Sequence, residues 1–121
     1  TSEVLFALQS HEIRRIAKSE ECVFVGRCAD FVLRDRDVRL LRVFVSAPEE
    51  YRIARKMEQE KLTRDQAVRL IRKMDKQRRK YYEGYTGRVW GAAGNYDLCI
   101  DTSLLPPADA AELIAARFRA L

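Results

Sequence analysis

Three short apolar runs constrain this chain more than any other feature: CVFV (22–25), RLLRVFVSA (39–47) and YDLCID (96–101). Each is rich in β-branched or aromatic residues and bounded by turn-forming or charged ones, which is how strands read. Around them, apolar residues recur at helical spacing. Leu5, Phe6, Ile13, Ile16 and Ala17 fall on one face of a helix predicted over 2–18, and a short helical piece is expected across 29–34. Pro48 followed by Glu49 and Glu50 opens a helix predicted to reach about Glu60. Thr63 and Gln66 then form a capping-box pattern at the head of a longer helix. Ala67, Leu70, Ile71 and Met74 hold the apolar spacing in it, and Gly84 is its expected stop. GYTGRVWGAAGN (84–95) reads as a loop, and Pro106-Pro107 precede a last helix over 108–120. Strands alternating with helices predict an α/β fold, a parallel sheet with crossover helices, in one domain of 121 residues.

Ligands of such sheets sit beyond the carboxyl ends of the strands. The three runs end on Gly26-Arg27, on Ser46 and on Asp101-Thr102-Ser103, which would share one rim. Arg27 is therefore either a solvated residue at a turn or an anion-binding side chain carried to the ligand edge. Asp101-Thr102-Ser103 is read as a cap for the following turn.

Charge is distributed unevenly. Residues 51–80 hold 12 Lys/Arg against 4 Asp/Glu, while the other 91 residues hold 11 basic and 14 acidic side chains. A local excess of this size repels itself unless an anion is sometimes present, which points to a phosphate-rich partner. Arg52 and Arg55, three positions apart, share a helix face and suit one polyphosphate. Asp75 pairs along its helix with Arg78 or Arg79, or else serves a ligand. Tyr81, Tyr82, Tyr85 and Trp90 either cover the end of the sheet or stack on a base.

Other classes drop out. No run of about 18 apolar residues is present, so no membrane span is expected, and the first 15 residues resemble neither a signal peptide nor a transit segment. Cys22, Cys28 and Cys99 lack a C-x-x-C pair and His11 stands alone, so no metal site is expected. The thiols are read as reduced core residues of a cytoplasmic protein.

Four segments in order, VGRCADFVL, RVFVSAPEEYRIARKM, MDKQRRKYYEGYTGRVWG and NYDLCIDTSLL, resemble the cytidylate kinase-like proteins, a branch of the P-loop nucleoside monophosphate kinases. The resemblance runs from about Cys22 to Ile114. It implies a P-loop NTPase-like fold and phosphoryl transfer from ATP, with Mg²⁺, to a nucleoside monophosphate. It implies that Arg27 holds the acceptor phosphate, that Arg52, Arg55 and Arg79 act on the donor, and that 48–84 forms an arginine-rich lid. Asp30, Asp75 and Arg78 are its further substrate-binding candidates. Cys28 follows Arg27 where the family has aspartate, and Asp30 lies two positions further on.

One expected unit has no match: the strand, glycine-rich loop and helix that would cradle ATP phosphates, with a G-x-x-x-x-G-K-S/T pattern or a looser variant. In the implied strand order the family's first strand lies between CVFV and LLRVFV. Without it two rows of backbone groups would lack partners, at roughly 0.5–1.5 kcal/mol per bond. The expectation is a longer polypeptide, a second chain or a homo-oligomer that completes the sheet. This chain would supply the acceptor site and lid and be inactive alone. A non-catalytic nucleotide- or anion-binding module is the alternative, and a nucleic-acid-binding domain ranks behind both.

Overall fold

A computed structural model describes residues 2–35 and 37–121. Helix α1 (Ser2–Ser19) is followed by an irregular stretch and a single-turn helix α2 (Ala29–Val32). Strand β1 (Val43–Ser46) leads into α3 (Glu49–Glu60) and α4 (Arg64–Thr86). A 3₁₀ turn at Ala93–Asn95, strand β2 (Leu98–Asp101) and α5 (Pro107–Arg119) complete the chain. The two strands pair in parallel, Val43 opposite Leu98 through Ser46 opposite Asp101, with α3 and α4 as the crossover between them. The architecture is thus α/β with a small parallel sheet.

The helix boundaries follow local chemistry. The Thr63 hydroxyl accepts the Gln66 backbone N–H while the Gln66 side chain accepts that of Thr63, so the capping box is complete. At the other end α4 runs through Gly84 and stops at Gly87, whose φ of 70° suits glycine and whose N–H reaches the Glu83 carbonyl. Pro48 and Pro106 stand at the heads of α3 and α5, where a missing N–H costs nothing.

The expected first strand is the main correction. Residues 22–25 join no ladder, and none of their backbone groups bonds to β1 among the described residues. Val23 and Val25 are 88% and 89% exposed, while Phe24 packs inward. An apolar β-branched run supplies the propensity for a strand, but a strand exists only where a neighbour takes its hydrogen bonds. β1 and β2 are also shorter than the runs that suggested them, because pairing covers only 43–46 and 98–101.

Two apolar clusters hold the fold. Ile13 of α1 packs with Ala29, Val32 and Leu33 around α2, joined by Phe6, Ala17, Phe24, Val38 and Leu40. Between α3 and α4, Ile53, Ala67 and Ile71 are buried beneath Met57, Leu62 and Val68. Leu5, expected to face inward, is 55% exposed beside exposed Val4 and Leu8. Of the cysteines only Cys28 is buried; Cys22 and Cys99 are exposed, against the expectation that all three are core residues.

Candidate anion-binding groove

The three-residue connection 61–63 folds α4 back against α3, and Ile53, Ala67 and Ile71 fix the contact. On one side of it the helices leave a groove of about 200 Å³. From α3 come Arg52, Arg55, Lys56 and Gln59, and from α4 come Ile71, Met74 and Arg78. Both sets follow the helical repeat, so each is one face of its helix.

Four cations on such a groove would repel unless neutralised, and two of them are. Arg52 donates to Asp75 at 2.6 Å, a part-buried bond that raises the guanidinium above its ordinary value. Lys56 pairs with Glu60 at 3.0 Å. Arg55 and Arg78 have no anionic partner among the described residues. The carboxylates at the head of α3 are engaged elsewhere: Glu50 accepts a two-pronged bond from Arg64 at 2.7 and 2.9 Å, and Glu49 accepts from Arg72 at 3.0 Å. A guanidinium fork with open donors in a concave site suits a phosphate or carboxylate.

The groove therefore gathers Arg52, Arg55 and Arg78, with Asp75 on Arg52. It does not include Arg27, Asp30 or Arg79. Arg27 is exposed in a turn where Gly26, Arg27 and Cys28 have successive φ values of 73°, 58° and 57°. Its side chain borders a shallow apolar concavity on α1, lined also by Leu8, Ile13 and Ile16. Arg79 turns toward Trp90, 5.9 Å from the ring centre. Asp30 accepts a hydrogen bond from the Tyr82 hydroxyl at 2.8 Å.

The last contact had no signature in the sequence, since 52 positions separate its partners. Tyr82 is 7% exposed, and burial together with the bond to Asp30 pushes its hydroxyl far above the ordinary range. Tyr81 and Tyr85 pack on Phe6 of α1, the Tyr85 ring stacked at 4.1 Å between centres. Of the four rings expected to cover the sheet or stack on a base, Trp90 contacts Phe44 of β1, where Tyr96 of the third run joins it. At the carboxyl rim, Asp101 accepts from the backbone and hydroxyl of Ser103 at 2.9 and 2.6 Å, the expected cap.

The sequence matches the model of the cytidylate kinase-like family over residues 1–104. The chain belongs to that family. Its fold is similar to the crystal structure of an uncharacterised protein from Eubacterium ventriosum, with a TM-score of 0.83 and 28% identity over 96% of this chain. The chain spans 65% of the length of that protein. No curated protein matches the sequence. No helix among the described residues is long and apolar enough to cross a membrane.

Proposed function

We propose that this chain is the acceptor-site and lid portion of a nucleotide kinase that transfers a phosphoryl group from ATP to a nucleoside monophosphate. The observation that carries the reading is the groove in which Arg55 and Arg78 present open guanidinium donors beside Arg52, within a cytidylate kinase-like chain. A phosphoryl group in flight spreads negative charge over its oxygens, so catalysis is mainly positioning and cationic stabilisation. Arg55 and Arg78 would hold donor phosphate oxygens, and Arg52, anchored by Asp75, would meet them from the head of α3. Arg79 would join them only by leaving Trp90. Arg27, exposed and without an ion pair among the described residues, would take the acceptor phosphate.

The donor set speaks for phosphate rather than for a protein-held metal. No group of three or more His, Cys, Asp or Glu that could hold an ion occurs among the described residues. Mg²⁺ keeps most of its waters and binds through substrate phosphates, so it would enter with ATP and neutralise charge on it. This chain's residues would grip the remaining oxygens. The reading implies a P-loop NTPase-like core, with the glycine-rich loop and a central strand supplied beyond these residues, and a cytoplasmic site of action where ATP is available.

The test is phosphoryl transfer by the intact protein with ATP-Mg²⁺ and a panel of nucleoside monophosphates. Turnover of at least one, falling by about 100-fold or more in Arg55→Ala or Arg78→Ala, is the expected result. Tight mononucleotide binding without turnover would favour the non-catalytic binding module. Oligonucleotides outcompeting mononucleotides, with steep salt dependence, would overturn both.

A further inference from the structure

The groove arginines and Arg27 sit on different elements, and one side-chain contact ties those elements together. Asp30 lies three residues after Arg27, the second residue past the turn of three left-handed residues, and it accepts the Tyr82 hydroxyl at 2.8 Å. Tyr82 stands one helical turn beyond Arg78, on the same stripe of α4 as Ile71, Asp75 and Arg78. A second contact reinforces the first: the Arg88 guanidinium, just past the end of α4, lies 5.1 Å from the centre of the Phe31 ring on α2.

We infer that Tyr82 is a positioning residue, which through Asp30 fixes the turn carrying Arg27 relative to Arg78 on α4. This rests on the nucleotide-kinase reading above. The physical argument begins with strain. Arg27 and Cys28 have φ values of 58° and 57°, which side-chain-bearing residues adopt only where their surroundings enforce it. Burial of Cys28 and Ala29 pins one side of the turn. The buried Tyr82 hydroxyl pins the other, and it reaches a carboxylate, the stronger kind of acceptor. A helix that bears groove cations and grips the Arg27 turn can set the distance between two phosphate-binding sites. Without that grip, each arginine could bind an anion but not in a fixed relation to the other.

Two measurements on the intact protein separate the claim from the reading beneath it. Amide hydrogen exchange addresses the tether without any ligand. In Tyr82→Phe, exchange should quicken at Phe31, Val32 and Leu33, whose N–H groups close α2 onto Cys28 and Ala29, and stay unchanged at Ala67–Ile71. Unchanged exchange at 31–33 would overturn the proposal. Nucleoside monophosphate titration addresses positioning. Tyr82→Phe should weaken binding about tenfold in the native background but less than about twofold beside Arg27→Lys, because the two act through one group. Asp30→Asn, whose side-chain oxygen still accepts from Tyr82, should keep most of the affinity that Asp30→Ala loses. Independent, multiplying effects of Tyr82→Phe and Arg27→Lys would show a merely structural tyrosine. If the native protein binds no mononucleotide, the kinase reading fails, and the exchange result alone decides whether the tether exists.

Discussion

Arg52 and Asp75 meet at 2.6 Å across the α3–α4 hairpin, although 23 positions separate them. The pair orients one of the four cations that line the groove. Both side chains are only partly exposed, 32% and 23%, so the bond is less screened than a surface pair. Asp75→Ala should lower stability by about 1–2 kcal/mol, read as a shift in denaturant midpoint, while Asp75→Asn, which keeps an acceptor, should lose less. Equal midpoints for Asp75→Ala and the native protein would reduce the contact to an incidental one.

A second ion pair ties together the residues that lead into β1 and β2 and sets a pH dependence. Asp97 accepts from the Arg42 backbone N–H at 2.8 Å and from its guanidinium at 3.0 and 2.8 Å. The guanidinium bond is the largest cause that holds the carboxyl below its ordinary value of 3.8. A carboxyl depressed in the folded state stabilises the fold above its unfolded value, and that contribution fades as pH falls through the folded one. The contribution of Asp97 should therefore be intact from neutrality down to about pH 4 and fade below it. In Asp97→Asn the decline should be shallower, measured by thermal melts across the acid limb. A native and a mutant limb of equal slope would remove Asp97 from the account.

What could be read from the sequence was what neighbouring residues decide among themselves. Thr63 and Gln66 announce a capping box because both partners lie within four residues, and the structure has it. Pro48 and the two glutamates after it announce a helix head for the same reason. CVFV failed as a strand because its apolar β-branched character is local and its hydrogen-bonding partner is not. Asp75 looked toward Arg78 or Arg79, its neighbours on the helix, and instead found Arg52 on another helix, a choice made by the packing of Ile53 on Ala67 and Ile71. Tyr82 stood in a run of aromatic residues and glycines that gave no sign of which ring would be buried. Only the tertiary fold singles it out, by bringing Asp30 to its hydroxyl.

The three cysteines should separate cleanly in a thiol assay. Cys28 is 3% exposed, and burial pushes its thiol up to about 11, so it is neither accessible nor ionised at neutral pH. Cys22 and Cys99 are exposed. A disulfide reagent at pH 8 should modify Cys22 and Cys99 promptly, and Cys28 only on addition of denaturant. Prompt modification of Cys28 would mean that the strained turn beside Arg27 opens readily, and would count against the tether through Asp30.

Glycine substitutions offer the last check, on the loop that covers the sheet. Gly91 has a φ of +79°, and a β-carbon there would lie 3.1 Å from the tip of the Phe44 ring. The left-handed conformation alone costs a side-chain-bearing residue roughly 1–2 kcal/mol. The crowding adds to it, because Phe44 is held edge-on by Trp90 and tilted against Tyr96, and any retreat disturbs both rings. Gly94, three residues on, has open space at the same point and no positive φ. Gly91→Ala should therefore destabilise by about 2 kcal/mol, with Trp90 fluorescence altered, while Gly94→Ala should leave stability within about 0.5 kcal/mol. Equal costs at the two positions would mean that the loop does not hold Trp90 against Phe44. Arg79 would then lose its aromatic partner.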